Sequence, residues 1–407
     1  MSKTKRKFDT KPAKINKFIK DYEKQATEIL VENSKELVRQ MSDNGREISE
    51  KEKEEISFRY EALLHVMDDR NIKEYNYDYD FSNYPDYIDP EFNRKIYKKK
   101  EFYLNKTFPQ KKMNEIEKIN YSKSLCNPLG GKNDSEATFN LTNNQKFLKS
   151  FLSPNTPYNG MLLFHGTGVG KTCTSISIAE QYSSELKELN KKIIILLNPS
   201  IKANFIKNIF NIARIKSKIP GYQCTGLKYL KEIPDYEYLV KKKRFDLIEK
   251  KFNRILKSKY DFFGYQKFAN IINKIKKKIR DGYPEHLHNK LINLELKKRF
   301  SNCVMIIDEA HNIKEGENSK ILPPLLENVV KQAENMKLLL LTATPMFDTS
   351  IEIVWLINLL LTNDGRSQIK PKIFFDGDGN LRKEMEGRFI DKIRGYISYV
   401  RGEDPFR

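Results

Sequence analysis

Cysteine is scarce: the 407-residue chain has four, at positions 126, 173, 224 and 303. Their spacing fits neither a zinc-binding pair nor a CxxC redox motif, which argues against a cysteine-ligated metal and a disulfide-stapled small fold. Cys126, Cys173, Cys224 and Cys303 are expected to be reduced thiols in a reducing compartment. Long apolar runs are missing too. The apolar stretch 351–361 is broken by Glu352 and Asn358, so no segment has membrane-spanning length and no membrane partner is expected. The opening residues, MSKTKRKFDTK, are basic without the apolar core of a secretory signal. An intracellular protein is the expectation. Carboxylates are also outnumbered, 54 Asp and Glu against 74 Lys and Arg, for a net charge of +20. Nearly all of the excess lies in residues 201–300, with 26 Lys and Arg against 9 Asp and Glu. Such asymmetry suits a polyanion, most simply nucleic acid, although a solvated lysine-rich face would give the same counts.

The chain is long enough for two or three domains with sizeable cores. In residues 1–138, Ile15, Phe18, Ile19, Tyr22, Ala26, Ile29 and Leu30 follow helical spacing, and Ser49 with Glu52 reads as a capping box ahead of 56–67. This part is expected to be a helical module. Its segment YNYDYDFSNYPDYIDPEF (75–92) reads as irregular, with aromatics that stack on bases or, more simply, pack on the main domain. Residues 139–364 alternate strand and helix patterns, with strands expected at 161–164, 193–197, 261–264, 304–307 and 338–341. Short apolar runs of this kind call for a parallel sheet covered by helices on both faces, an α/β fold. The basic stretch 202–300 elaborates that domain, and 365–407 reads as a linker. Within it DGDGN (376–380) imitates a calcium loop, but Leu381 and Gly387 stand where the turn glycine and bidentate glutamate belong, so a turn is expected.

Two motifs carry chemistry. The stretch LLFHGTGVGKTCTS (162–175) matches G-x-x-x-x-G-K-[ST] except that His165 replaces the first glycine. In that signature backbone N–H groups wrap phosphates, the lysine reaches the β/γ oxygens and the hydroxyl holds Mg²⁺. Gly166 and Gly168 are expected to supply the permissive backbone angles, and Gly166, Thr167, Gly168, Val169, Gly170, Lys171, Thr172 and Cys173 to line the nucleotide. An apolar strand before the loop and a helix over 173–181 after it would aim the helix N-terminus at the phosphates. ATP and Mg²⁺ are therefore the expected ligands. The second motif, VMIIDEAHNI (304–313), puts Asp308 and Glu309 at the end of a buried strand, the edge at which ligands of parallel sheets collect. Asp308 is expected to hold the metal with Thr172, and Glu309 to orient and deprotonate the attacking water. Lys171, Asp308 and Glu309 form the expected catalytic set.

A third stretch, KLLLLTATPMF (337–347), ends another apolar strand in Thr342, Ala343 and Thr344, and here the chain resembles superfamily 2 helicases and translocases. That resemblance implies a RecA-like lobe in which Thr342 and Thr344, with His311, couple the nucleotide site to nucleic-acid grip. Pro345 after the pair resembles Swi/Snf-type and restriction-enzyme-type DNA translocases, favouring DNA over RNA. FNLTNNQKFLKSFLSP (139–154) looks like the upstream glutamine motif, with Gln145 in the adenine-contacting place. Further stretches at 84–102, 260–268, 352–361 and 395–406 look like the helicases of poxviruses and giant DNA viruses, a group that includes the small subunit of the viral early transcription factor and nucleoside triphosphatase I. By the same resemblance LLNPSIKANF (196–205) grips a strand by its phosphates through Pro199, Ser200 and Lys202. The family also has a second RecA-like lobe with a Q-x-x-G-R-type motif, which this sequence does not show. The implied protein is the ATP-binding lobe of a DNA-dependent ATPase, partnered with a viral RNA polymerase or transcription factor subunit, in the host cytoplasm, the viral factory or the virion. The alternative is a nucleic-acid-binding scaffold that binds ATP without turning it over alone. Without the arginine of the second lobe, residues 1–407 are expected to hydrolyse ATP near background.

Overall fold

The computed structural model describes residues 83–105, 139–314, 320–346 and 349–400, with isolated positions between 17 and 63. Six strands form one sheet: β1 (Gly160–His165), β2 (Ile193–Leu196), β3 (Tyr260–Phe263), β4 (Val304–Asp308), β5 (Lys337–Thr342) and β6 (Ile397–Val400). Their order is β3-β2-β4-β5-β1-β6, and every pairing is parallel. Strands β2 and β4 read IIIL and VMIID and are buried along their whole length, as a sheet covered on both faces requires.

The main helices are α1 (Phe92–Lys98), α2 (Asn143–Phe151), α3 (Lys171–Ala179), α4 (Lys202–Ile209), α5 (Phe245–Lys259), α6 (Tyr265–Gly282), α7 (His288–Phe300), α8 (Leu322–Gln332), α9 (Ile353–Asn363) and α10 (Glu386–Ile393). Helices α6, α7, α8 and α9 pack in succession, while α2 and α4 flank α3. The chain runs from β1 through α3 to β2 toward one edge and from β3 through α6 and α7 to β4 toward the other. Right-handed crossovers then place these two helix groups on opposite faces. This is the RecA-like α/β lobe expected from the motifs.

Five strands fall within a residue or two of their expected positions. The sixth was not foreseen: β6 lies in the stretch read as a linker, yet Ile397 to Val400 pair with Leu162 to His165 of β1. The ISYV run is short and only partly buried, so its strand character comes from its partner rather than from its own pattern. The lobe therefore does not end at residue 364. Its N-terminal side is also extended. Tyr87 stacks on Tyr396 (ring centroids 4.4 Å apart), and Phe92 packs edge-on against Phe151 (6.3 Å) and Tyr158 (5.6 Å), so the described aromatics of the Tyr-rich segment join the lobe's core. Residues 75–82 lie outside the described residues. Among the isolated N-terminal positions, Phe18 and Tyr22 pack on Phe58 and Ala62, and Ser49 and Glu52 exchange the two capping-box bonds. The DGDGN stretch is a turn, as expected: Asp376 accepts from the backbone N–H groups of Asp378 and Asn380.

Candidate active site

Register brings the motifs to one edge. Phe164 of β1 lies opposite Thr342 of β5, and Asp308 of β4 lies opposite Leu341, so the phosphate loop, the carboxylates and the threonines all emerge from the same sheet edge. Gly168 (φ +81°) and Gly170 (φ +86°) take the left-handed backbone that folds the loop back on itself. Gly166 does not. Its N–H continues the sheet by donating to Val400 O at 2.9 Å, which corrects the expectation that Gly166 supplies a left-handed turn. Gly170 caps α3, whose free N–H groups face the loop. The Lys171 ammonium donates to His165 O (2.8 Å) and Gly166 O (3.3 Å). Burial lowers the Lys171 pKa, against the pull of the nearby Glu309 and Asp308 carboxylates. His165 itself is buried, pairs with Ser398 Oγ of β6 at 2.8 Å, and is held neutral by burial and by Lys171, with its pKa lowered to about 4. The ring in the consensus glycine position thus braces β6 instead of obstructing the loop.

Asp308 closes β4 inside the sheet. Burial first, then the adjacent Glu309 charge, pushes its carboxyl up to about 6, and its Oδ1 accepts from Glu309 N (3.1 Å). A divalent cation would relieve both causes, so the donor set fits Mg²⁺ held by Asp308 and the Thr172 hydroxyl. Glu309 sits at φ +49°, a left-handed conformation that costs a non-glycine residue about 1–2 kcal/mol. The Tyr265 hydroxyl, at the start of α6, donates to the carbonyl oxygens of both Asp308 (2.5 Å) and Glu309 (3.2 Å).

The residues expected to couple the nucleotide site to nucleic-acid grip meet directly. His311 Nδ1 lies 2.7 Å from Thr342 Oγ1 and 3.5 Å from Glu309 Oε2, and Thr342 Oγ1 also accepts from Thr344 N (3.0 Å). One imidazole therefore touches both the DEAH carboxylate and the threonine pair. Gln145 is buried, and both ends of its amide are engaged: Oε1 accepts from Thr142 N (2.9 Å) and Nε2 donates to Gly170 O (3.3 Å). It braces the phosphate loop. Pro199, Ser200 and Lys202 are exposed after β2, on the same edge, with Ser200 held by Asn198 Oδ1 and Lys202 lying 5.3 Å over the Phe262 ring.

The comparisons with known proteins bear on this edge. The family model described as "Type III restriction enzyme, res subunit" matches residues 132–347, more than half the chain. The chain belongs to this family. The chain is 30% identical over 341 residues to "Putative ATP-dependent RNA helicase L377" of Acanthamoeba polyphaga mimivirus, covering 79% of this chain and 27% of that protein. It is 30% identical over 276 residues to "Putative ATP-dependent RNA helicase R563" of the same virus, covering 64% of this chain and 41% of the relative. "Early transcription factor large subunit homolog" of African swine fever virus is 23% identical over 321 residues, 63% of this chain and 27% of that protein. The chain thus spans less than half the length of these relatives, and it carries a helicase-family ATP-binding domain with viral helicase homologues.

Two features of the site were missed or misjudged from the sequence. Cys173, directly after Thr172, forms a disulfide with Cys224, with Cα atoms 5.3 Å apart across 51 residues of chain, which corrects the expectation of reduced thiols for these two. Only the fold brings them together, because α3 packs beside the segment that carries Cys224. Cys303 is free and buried, and Cys126 lies outside the described residues. Tyr265 was the other omission. It stands in the stretch YDFFGYQKF, and nothing in that stretch marks a hydroxyl that reaches the next strand's carbonyls.

Proposed function

We propose that this lobe is the ATP-binding half of a DNA-dependent ATPase, a helicase or translocase that acts in viral transcription or genome handling. The observation that carries the reading is the single sheet edge on which Lys171, Asp308, Glu309 and the His311–Thr342 pair converge. In this reading the loop N–H groups from Thr167 to Cys173 cradle the phosphates, that of Gly166 stays in the sheet, and Lys171 leaves its carbonyl partners to neutralise the β/γ oxygens. Thr172 and Asp308 would hold Mg²⁺, which when bound would supply stabilisation for the charge of the transferring phosphoryl group. Glu309, drawn toward Lys171 by charge and turned by its own backbone, accepts the proton of the attacking water. His311 then reports the state of Glu309 to Thr342, and the strand-end segment of Pro199, Ser200 and Lys202 holds the polynucleotide backbone.

DNA is favoured by Pro345 after the threonine pair, whereas the basic stretch between β2 and β4 suits either polynucleotide; the mimivirus relatives carry RNA in their names, so RNA is the competing substrate. The transcription role rests on the African swine fever virus relative's name and on the viral resemblance. The test is phosphate release with no polynucleotide, with duplex or single-stranded DNA, and with RNA, each beside Glu309→Gln and with and without the remainder of the enzyme. The reading expects stimulation by DNA above RNA that vanishes in Glu309→Gln. Binding of DNA and ATP with no turnover under any of these conditions would favour the scaffold instead.

A further inference from the structure

We propose that Tyr265 is a positioning residue for ATP hydrolysis, holding the Asp308–Glu309 backbone so that the Glu309 carboxylate faces the nucleotide; this rests on the reading of Glu309 given above. Three observations support it. First, the Tyr265 hydroxyl is shared between two successive carbonyl oxygens, those of Asp308 (2.5 Å) and Glu309 (3.2 Å), and so ties down the two peptide groups that flank the Glu309 Cα, whose rotation would swing the Glu309 side chain. Secondly, Glu309 stands at φ +49°, a conformation a non-glycine residue keeps only when its surroundings hold it. Thirdly, the Tyr265 ring packs against the hydrophobic core of the lobe, so its hydroxyl is presented to these carbonyls from a fixed place.

The position of Tyr265 gives this clamp a direction. It is the first residue of α6, a helix whose buried side is Phe268, Ala269, Ile272 and Ile279 and whose exposed side carries Lys267, Lys274, Lys277, Lys278 and Arg280. One turn before it, Phe263 O accepts from Leu197 N (3.0 Å), tying the end of β3 to the start of the Pro199–Lys202 segment. A polyanion laid on α6 or on that segment therefore pulls on the element that sets the Glu309 backbone. Tyr265 thus links the basic insertion directly to the DEAH carbonyls.

The test is Tyr265→Phe, which removes one oxygen and keeps the ring. Single-turnover ATP hydrolysis with enzyme in excess, in the presence of DNA and a chain supplying the second RecA-like lobe, together with Mg-ATP affinity and thermal unfolding, is measured on the wild type, Tyr265→Phe and Glu309→Gln. We expect nucleotide Kd within about twofold of wild type and a hydrolysis rate about 10- to 100-fold lower, the loss typical of a displaced reacting group. A Tyr265→Phe rate equal to wild type, while Glu309→Gln is inactive, would overturn the inference and leave the active-site reading standing. Equal losses of affinity and rate, or a lowered unfolding temperature that accounts for them, would make Tyr265 a packing residue and overturn it also. If Glu309→Gln hydrolyses like the wild type, the reading of Glu309 itself fails and takes the clamp with it.

Discussion

The two left-handed glycines of the phosphate loop differ in a way that can be measured. Both Gly168 and Gly170 stand at φ above +80°, where a side chain costs about 1–2 kcal/mol from backbone strain alone. A Cβ at Gly168 would meet nothing within 4 Å, whereas a Cβ at Gly170 would come within 2.5 Å of Gln145 Nε2. The end of a glutamine usually swings aside, but this one is buried and held at both ends, by Thr142 N on Oε1 and by Gly170 O on Nε2. Moving it forfeits both bonds, at about 1 kcal/mol each. Gly168→Ala should therefore destabilise the lobe by about 1–2 kcal/mol and Gly170→Ala by about 3–4 kcal/mol. Denaturant unfolding of both variants, of Gln145→Ala and of the Gly170→Ala/Gln145→Ala double variant closes a mutant cycle. Because the single changes break the same bonds, the double variant should be about 1–2 kcal/mol more stable than additivity allows. Equal penalties at the two glycines, or an additive cycle, would refute the bracing of the loop by Gln145.

Three further predictions follow from charge and covalent structure. The Asp308 carboxyl titrates near 6 in the fold against 3.8 when free, so the folded chain binds this proton more tightly, and its contribution to stability is present below pH 4 and lost as pH rises through 6. Asp308→Asn should leave stability unchanged at pH 4 and raise it by about 1–3 kcal/mol at pH 8, in chemical unfolding without Mg²⁺ or nucleotide; an unchanged value at pH 8 would contradict the burial of a charged Asp308. If the basic insertion contacts phosphates, DNA affinity should fall with a log–log salt slope near −0.9 per phosphate neutralised, and replacing Lys241, Lys242, Lys243 and Arg244 together with Lys276, Lys277 and Lys278 should flatten it, whereas an unchanged slope would mark a merely solvated face. The Cys173–Cys224 bond closes 51 residues of chain, so Cys224→Ser should lower the unfolding free energy by a few kcal/mol in non-reducing buffer and by little under reductant; identical unfolding in the two buffers for the unsubstituted chain would count against the bond.

The parts of the site legible in the sequence are those that depend on contiguous residues. Lys171 with its glycines, and Asp308 and Glu309 behind four apolar residues, can be read because loop, strand and motif are adjacent in the chain. The apolar runs of β2, β4 and β5 identify themselves by composition, and a parallel sheet follows from them. What stayed hidden depends on partners far apart in sequence. Strand β6 is a strand because β1 lies beside it, 235 residues away at the Leu162–Ile397 pair. Cys224 finds Cys173, Ser398 finds His165 and Tyr265 finds the Asp308 carbonyl only once the crossovers have been made. Gly166 was misjudged for a related reason. A glycine shows where the backbone is free, and here the sheet, through Val400, had already fixed it.

The central claim is that this sheet edge binds Mg-ATP through Lys171 and keeps Glu309 for hydrolysis. Calorimetric titration of Mg-ATP into the wild-type chain, Lys171→Ala and Glu309→Gln tests it most directly. The account predicts saturable binding to the wild type, affinity within about twofold in Glu309→Gln because a water-orienting group acts mainly in the transition state, and at least about tenfold weaker binding in Lys171→Ala. Equal affinity for the wild type and Lys171→Ala, or no binding to either, would contradict it.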